Sequence, residues 1–246
     1  MNLATSSLEV RGIQLNQISR KPRVAVPYAS PAHAARSTGD NACYPSLYTP
    51  IDGQTGKPMN ALQIQVSRLL HTYLPRDGGQ RGLIKVFHSL VEAHSDCCKR
   101  SCLPGHFTAS AWLVSGDGQR ALLTHHRKLG LWVQPGGHAD GQADLAAVAL
   151  QEAGEESGLA GLCREGGVFD LDHHWIPRYF GEPAHWHYDV RFVVRATSGE
   201  APVVSEESLA LAWRPVSWLA SSPGVDASVQ RMAQKWLNQE ILSPAK

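Results

Sequence analysis

The sequence predicts an α/β protein in which a mixed β-sheet packs against helices, preceded by two helices and a disordered N-terminal segment. Three observations predict this arrangement. Helical periodicity begins at residue 61, short strand-like runs alternate with helical runs after residue 105, and residues 1–60 show little periodicity of either kind. A chain of 246 residues with 43% hydrophobic and 18% charged residues has the composition of a globular protein.

Residues 1–60 are expected to form a flexible extension. Prolines interrupt this segment, with serine, threonine and glycine between them, and such a segment buries too little apolar surface to order itself. The prolines are Pro22, Pro27, Pro31, Pro45, Pro50 and Pro58. An alternative interpretation is that the working protein starts at Met59.

Residues 61–104 are predicted to form a helical lead-in. Apolar residues recur at helical spacing in two stretches, and Pro75 with Gly78–Gly79 is expected to end the first helix. The first stripe consists of Leu62, Val66, Leu69, Leu70 and Tyr73, and the second of Leu83, Ile84, Phe87, Leu90 and Val91.

Residues 105–240 are predicted to form the mixed sheet and the helices that cover it. Gly116–Asp117–Gly118 lies between the first two strand-like runs and is a hairpin signal. The strand-like runs cover residues 107–115, 120–125, 131–133, 168–175, 185–196 and 209–213. The helical runs cover residues 143–157 and 227–237.

Glu152, Glu155 and Glu156 form the most informative group of residues. They lie at positions i, i+3 and i+4, so they share one helix face within a single turn. Like charges this close repel each other, and a hard divalent cation would offset the repulsion. Mg²⁺ prefers a few carboxylates together with water and phosphate oxygens. The alternative is a solvated acidic face, which does not explain the glycines around the helix.

Those glycines lie on both sides of the acidic helix. Pro135–Gly136–Gly137 is a turn that follows a predicted strand, and its glycines allow the backbone to approach a ligand. Backbone carbonyls of this turn could therefore complete a metal shell. Gly158 follows the helix and is a natural C-cap.

The segment from Gly137 to Leu159 resembles the Nudix box of Nudix hydrolases, the pattern G-x5-E-x7-R-E-U-x-E-E-x-G-U, in which U is aliphatic. Gly137 matches the first glycine, Glu152 matches the glutamate of the R-E pair, and Glu155–Glu156 matches the E-E pair. The remaining matches are Ala153, Gly158 and Leu159.

Two positions depart from the pattern of the box. Ala143 stands where the first glutamate belongs, and Gln151 stands where the arginine belongs. In the family these two residues support the loop–helix geometry and orient the catalytic glutamate, so their loss affects rate and metal affinity more than the fold. Losing both leaves no unpaired charge, and Asp144 is a candidate substitute for the missing glutamate.

The resemblance extends over about residues 105–240, through the stretches GHFTASAWLV, LLTHHRK, LWVQPGG and LAWRPVSWL. It implies an α/β/α sandwich and Mg²⁺-dependent hydrolysis of a pyrophosphate bond, with Mn²⁺ as an alternative metal. The implied substrate is a nucleoside diphosphate linked to another moiety, attacked at phosphorus by water. The implied metal ligands are Gly137, Glu152, Glu155 and Glu156, and the three glutamates are also the implied catalytic residues.

Four residues outside the box are candidate substrate ligands. His185, His187 and Arg191 alternate with apolar residues, so a polar strand face would line the cleft and contact phosphate or sugar. The alternative is an ordinary half-exposed strand. Arg127 belongs to the basic stretch 125–128, which would neutralise substrate phosphates or lie in a solvated loop.

Two further groups have weaker signals. Glu182, Glu206 and Glu207 are loop carboxylates, any of which could supply a general base or simply lie at the surface. A group of cysteines and histidines suggests zinc but lacks a clean C-x2-C pair, which favours reduced, partly buried thiols. Its members are His94, Cys97, Cys98, Cys102 and His106.

Charge and cysteine content limit the classes of partner. With 23 basic and 22 acidic residues the net charge is +1, so we expect no nucleic-acid partner. The partner that the resemblance implies is a small nucleotide-type molecule. Apolar runs are too short for a membrane span and the N-terminus lacks a signal-type core, so we expect no membrane association. Five cysteines without an export signal indicate reduced thiols in the cytoplasm.

Two other functions are compatible with the same fold. A Nudix-fold module that binds a nucleotide without cleaving it is supported by the departures at Ala143 and Gln151, and opposed by the three retained glutamates. A transferase or isomerase on the same fold is the other alternative, because fold does not fix function. A homodimer is one option for the assembly.

Overall fold

The structure is a computed structural model that describes residues 56, 58–73, 78–178 and 181–242. The predicted extension over residues 1–60 lies almost wholly outside the described residues. Within them the predicted α/β fold is confirmed, with a mixed sheet, flanking helices and two helices ahead of the first strand. None of the helices in these ranges has the length and apolar character needed to cross a membrane.

Two helices precede the sheet, α1 (Ala61–His71) and α2 (Gly78–Ala93). α1 begins with a capping box, in which the Asn60 side chain accepts a hydrogen bond from the Gln63 N–H (2.8 Å) and the Gln63 side chain accepts one from the Asn60 N–H (2.9 Å). The prediction that Gly78 and Gly79 end the first helix is wrong, because both belong to the first turn of α2. Glycine costs less there than in a helix interior, since the first turn is not yet fully hydrogen bonded.

Seven strands follow in the described part of the chain. They are β1 (Gly105–Val114), β2 (Arg120–His126), β3 (Trp132–Val133), β4 (Gly136–His138), β5 (Leu162–Ile176), β6 (His185–Ala196) and β7 (Ser208–Pro215). The remaining helices are α3 (Leu145–Ser157), α4 (Val216–Leu219) and α5 (Ala227–Leu242).

The sheet is organised around β1. This strand runs parallel to β6 over its whole length and antiparallel to the short strand β4, which places Gly137 opposite Ala109. β5 lies antiparallel to β6 on the outer side, while β2 pairs with both β3 and β7. The sheet is therefore mixed, and β4 is held beside the first half of β1.

The two faces of the sheet are covered by different helices. On one face Phe107 and Val190 pack in a core that also contains residues of α1, α2 and α3. On the other face Trp112 and Val193 pack with residues of α5, such as Met232. A third, smaller core contains Leu113, Leu122 and Ala153 of α3. Side chains that alternate along each strand supply these cores, which is the sandwich that the resemblance implies. The lead-in helices share the first core.

Arg191 lies inside the fold. Its side chain is 2% exposed, and its guanidinium group forms ion pairs with Asp189 (2.7 Å), Asp172 (3.2 Å) and Asp170 (3.6 Å). Arg231 of α5 also pairs with Asp170 and Asp172, at 2.8 Å each. This setting favours a structural role for Arg191, and the predicted contact with substrate stays untested.

Three elements differ from the sequence-based expectation. The sequence predicts a turn at Pro135–Gly137, since glycine has low strand propensity. In the structure Gly136 and Gly137 belong to β4, which forms a strand through its pairing with β1. β5 begins at residue 162 rather than 168, across irregular register between Glu165 and Asp170. The short helix α4 carries no periodicity that could have predicted it.

We expect Arg191→Met to lower the free energy of unfolding by about 3–5 kcal/mol, because it leaves the buried Asp189 carboxylate without its ion pair. Denaturant titration followed by circular dichroism measures the change. Glu165→Gln is the control, since it removes the partner of Arg195 in a pair whose carboxylate is 40% exposed, and it should cost no more than about 1 kcal/mol. Equal effects of the two substitutions would contradict the structural role of Arg191.

Candidate active site

Helix α3 carries the three glutamates and is fixed at both ends. Asp144 is its N-cap and accepts a hydrogen bond from the Ala147 N–H at 3.0 Å. Gly158 ends the helix in the left-handed conformation, with φ at 65°. Asp144 therefore serves the helix N-terminus, about two turns before Glu152. Ala143, the first departure from the box, is partly buried against the core.

Glu156 points into the protein from this helix. Its side chain is 5% exposed, and its Oε1 accepts a hydrogen bond from the backbone N–H of Gly136 at 2.8 Å. Its second oxygen, Oε2, is buried and has no well-formed hydrogen bond among the described residues, although the Thr124 hydroxyl is close enough to lower the pKa of Glu156. A buried carboxylate oxygen without a full set of partners is costly, so this oxygen is a candidate ligand for a cation.

Glu152 lies directly against Gly137. A Cβ atom at position 137 would overlap the Glu152 carboxylate and come within 2.7 Å of its Oε2. Only glycine leaves room for this carboxylate beside β4. The sequence-predicted residues Gly137, Glu152 and Glu156 are therefore brought together at the edge where α3 meets β4.

Glu155 lies on the exposed side of the same turn. Its Oε1 accepts a hydrogen bond from the Gln151 side-chain amide at 2.9 Å. Gln151 stands where the box has arginine. Its neutral amide is hydrogen bonded to Glu155, which lies four residues further along the helix. Glu155 still acts on the site electrostatically, because its charge raises the pKa of Glu152.

The setting of Glu152 and Glu156 disfavours their negative charge. Burial, followed by the charges of Glu155 and Glu207, raises the pKa of Glu152 to about 7. Burial also raises the pKa of Glu156 to about 7, although the Gly136 N–H has the opposite effect. Two carboxyl groups held in this way are poised to bind a cation, which would favour their ionised form.

Among the three loop carboxylates, Glu207 is close enough to act on the site, because its charge raises the pKa of both Glu152 and Glu156. Arg127 supports this loop. Its backbone N–H donates to the Glu207 carbonyl at 3.0 Å, and its guanidinium group donates to two further carbonyls of the loop at 3.0 and 3.1 Å. The predicted contact between Arg127 and substrate stays a prediction.

Arg100 is a site residue that sequence reasoning missed. It forms a bidentate ion pair with Asp140 (2.7 and 2.9 Å), and its charge lowers the pKa of Glu152. Asp140 takes a positive φ of 46° in the loop between β4 and α3. The pairing spans 40 residues of sequence, so no local pattern could have revealed it. A cavity of about 80 Å³ beside it is lined by Arg100, Leu103, His106, His138, Glu182, Pro183 and His185.

His185 and His187, both predicted substrate ligands, converge with two other histidines. The four ring systems of His106, His138, His185 and His187 offer ligand atoms that lie within 4.8 Å of one another. His185 also lines the cavity near Arg100. Sequence reasoning grouped His106 with cysteines, whereas the structure places it with these histidines.

The cysteines near the end of the lead-in are buried free thiols. Cys97, Cys98 and Cys102 have little or no exposed surface, and burial raises the pKa of the Cys102 thiol to about 12. The hydrogen bond with Cys98, followed by burial, raises the pKa of Cys97 far above its usual value. Cys97 and Cys102 are therefore protonated at neutral pH, and all three side chains pack in the core that α1 and α2 share with the sheet.

Residues 104–235, more than half of the chain, match the family model of the NUDIX domain. The chain belongs to the Nudix hydrolase family. This Nudix domain runs from the start of β1 into α5, so it includes the acid helix, β4 and all seven described strands. The enzymes of this family generally use a divalent metal. A search of curated proteins found no match in sequence.

Solved structures similar to this chain include several Nudix proteins. An Ap4A hydrolase binary complex from C. elegans is 15% identical, with 56% of this chain and 98% of that chain covered and a TM-score of 0.42. A Nudix-family hydrolase from Clostridium perfringens is 22% identical, with 56% and 98% covered and a TM-score of 0.41. The Nudix domain of Shewanella oneidensis NrtR, complexed with ADP ribose, is 20% identical, with 56% and 88% covered and a TM-score of 0.38.

We expect Gly137→Ala to weaken Mn²⁺ binding about 10-fold or more, because the added methyl group displaces the Glu152 carboxylate. Titration calorimetry on the purified protein measures the affinity. Gly154→Ala in α3 is the matched control, since a Cβ there meets no atom within 4 Å. The control should keep its affinity and gain roughly 0.5–1 kcal/mol of stability. Unchanged Mn²⁺ binding in Gly137→Ala would contradict the role given to this contact.

We expect metal-free Glu156→Gln to be more stable than the metal-free native protein at pH 7.5, by on the order of 3 kcal/mol. A carboxyl with a pKa of about 7 in the fold and 4.5 when unfolded costs stability at high pH, and the cost disappears as the pH falls towards 4.5. The gain should therefore shrink between pH 7.5 and pH 5. Urea unfolding measures the free energy of unfolding of both proteins. Subtracting one from the other cancels the opposite contribution of the buried histidines, which both proteins share. A gain in stability that grows on acidification would contradict the raised pKa of Glu156.

Proposed function

We propose that this protein hydrolyses a pyrophosphate bond in a nucleoside diphosphate linked to another moiety, with Mg²⁺ as the metal and water as the nucleophile at phosphorus. Nucleotides and nucleotide sugars are the substrate class. The observation that carries this proposal is the pair Glu152 and Glu156, which lie against Gly137 and Gly136, with the Glu156 carboxylate buried and its Oε2 without a well-formed hydrogen bond among the described residues. A carboxylate pair of this kind fits a hard cation with oxygen ligands.

The residues of the site have distinct tasks in this proposal. Glu152, Glu156 and the Gly137 carbonyl would hold the metal, and Glu155 on the open side of the turn is the remaining carboxylate. Bound Mg²⁺ would neutralise the diphosphate, stabilise charge at phosphorus and lower the pKa of a bound water. The backbone N–H of Gly136 holds the Glu156 carboxylate in place.

Glu207 is the proposed general base. It acts on Glu152 and Glu156 through its charge, and its loop is held by three hydrogen bonds from Arg127. A loop carboxylate that faces the metal site can take a proton from the attacking water. Arg100, which is more than half exposed and acts on Glu152, is the proposed phosphate contact on the other side.

The compartment in which we propose that the protein acts is the cytoplasm. Cys97, Cys98 and Cys102 are free, buried thiols, which fits a reducing compartment. The cavity beside Arg100 is lined by one arginine, three histidines, one glutamate and two apolar residues, which is not the extended basic face that nucleic-acid binding needs. A small phosphorylated molecule is the partner that fits best.

A non-catalytic nucleotide-binding module is the second candidate. The observation that favours it is Gln151, which replaces the arginine of the box. Its side chain is hydrogen bonded to Glu155 rather than to Glu152 or Glu156. The catalytic glutamate would then lack its usual charged support. The same substrate experiment separates the two candidates.

We expect turnover on at least one class among nucleotide sugars, dinucleoside polyphosphates and nucleoside triphosphates, and a loss of about 100-fold or more in Glu156→Gln. Reactions in ¹⁸O-labelled water with Mg²⁺, followed by mass spectrometry, show whether the label enters a phosphate product. Glu92→Gln, an exposed position on α2, is the control and should keep full turnover. Nucleotide binding without turnover on any class would support the module and overturn the hydrolase proposal.

A further inference from the structure

Four histidines from three neighbouring strands meet at one point. His106 belongs to β1, His138 to β4, and His185 and His187 to β6. β1 lies between the other two strands, and His187 is directly opposite His106 in the parallel register. Each histidine offers one ring nitrogen, and these four nitrogens all lie within 4.8 Å of one another. Four nitrogens in a tetrahedral zinc site would be about 3.3 Å apart, so small side-chain movements would complete such a site.

One of these histidines has a buried nitrogen with no partner. His106 is 2% exposed, and its Nε2 has no hydrogen-bond partner among the described residues. Its ring centre lies 5.1 Å from that of His138, 4.7 Å from that of His185 and 5.2 Å from that of His187. A buried unpartnered nitrogen beside three other imidazoles needs a proton donor or a cation.

Backbone carbonyls fix the orientation of two of the rings. Nδ1 of His185 donates to the Pro183 carbonyl at 2.8 Å, and Nδ1 of His106 lies 3.5 Å from the Cys102 carbonyl. A histidine that donates from Nδ1 presents a free lone pair at Nε2, which is the arrangement found behind metal-binding histidines. Nε2 of His185 in turn lies 3.0 Å from Nε2 of His187, so a proton or a cation must lie between them.

We propose that His106, His138, His185 and His187 form a binding site for a late first-row divalent cation, with zinc as the expected occupant. Imidazole nitrogens suit Zn²⁺, whereas the carboxylates of Glu152 and Glu156 suit Mg²⁺. The protein would then hold two metal sites of different chemistry. The histidine site stands whether or not the acid site hydrolyses a pyrophosphate bond.

Burial disfavours the charged form of three of these imidazoles, those of His106, His138 and His187, whose pKa values are lowered. Burial lowers the pKa of His138 to about 4 and that of His187 to about 2. Their lone pairs are therefore available at neutral pH. Glu182 lines the adjoining cavity, and Asp140 lies nearby in its ion pair with Arg100, so carboxylates are at hand to offset the charge of a bound cation.

Such a site would fix the strand that carries the metal-binding glycines. β4 has three residues, of which Gly136 and Gly137 contact the glutamates and His138 would bind zinc. Zinc ligated by all four histidines would tie β4 to β1 and β6 by coordination bonds in addition to the backbone ladder. The cation would act as a positioning element for Gly137 and not contact the substrate.

The first test is Co²⁺ binding to the untagged, metal-free protein, followed by visible absorption. We expect the intense absorption of tetrahedral Co²⁺, abolished by equimolar Zn²⁺. His106→Gln and His187→Gln should each weaken Co²⁺ affinity about 10-fold or more, since even losing an outer support of a ligand costs that much. His71→Gln on the exposed side of α1 is the matched control and should bind as the native protein does.

Two further measurements keep the outcome decisive if a histidine variant fails to fold. X-ray absorption of the zinc-loaded native protein should show four nitrogen neighbours at about 2.0–2.1 Å. Glu156→Gln should keep the tetrahedral Co²⁺ signal, because it alters only the acid site. No tetrahedral signal in the native protein, an oxygen shell around zinc, or loss of the signal in Glu156→Gln would overturn the proposal.

Discussion

The contact between β4 and the acidic face of α3 is the constraint on which the site depends. Gly136 donates its N–H to Glu156, and Gly137 leaves the space that the Glu152 carboxylate occupies. Both contacts require a backbone without side chains next to a helix with carboxylates one turn apart. The fold supplies them by pairing β4 with β1 and by fixing α3 between the Asp144 cap and Gly158.

Electrostatic effects oppose this contact in the metal-free protein. Burial and the neighbouring carboxylates raise the pKa of Glu152 and of Glu156 to about 7, so the metal-free protein holds two groups that resist ionisation at neutral pH. A bound cation reverses the balance, because it stabilises the ionised carboxylates. The site thus couples metal binding to the stability of the whole sandwich, since the same helix packs Leu145, Val148 and Ala149 into the larger core.

The sequence predicted the parts of this site that are encoded locally. The spacing of Glu152, Glu155 and Glu156, the double glycine and the C-cap at Gly158 could all be read within one segment, and the structure brings Gly137, Glu152 and Glu156 together. Residues that lie far apart in sequence and are brought together only by strand pairing could not be predicted from one segment. Arg100 reaches Asp140 across 40 residues, and the four histidines come from three strands whose order depends on the parallel pairing of β1 with β6. Arg191 looked like part of an open polar stripe because the alternation along β6 does not reveal that carboxylates of β5 cover it.

We infer that a divalent cation binds between α3 and β4. Anomalous X-ray diffraction from crystals of the full chain grown with Mn²⁺ is the most direct test of this binding. The account predicts an anomalous peak in contact with the carboxylates of Glu152 and Glu156 and the carbonyl of Gly137. A map with no peak there, under conditions in which Mn²⁺ binding is saturated in solution, would contradict it.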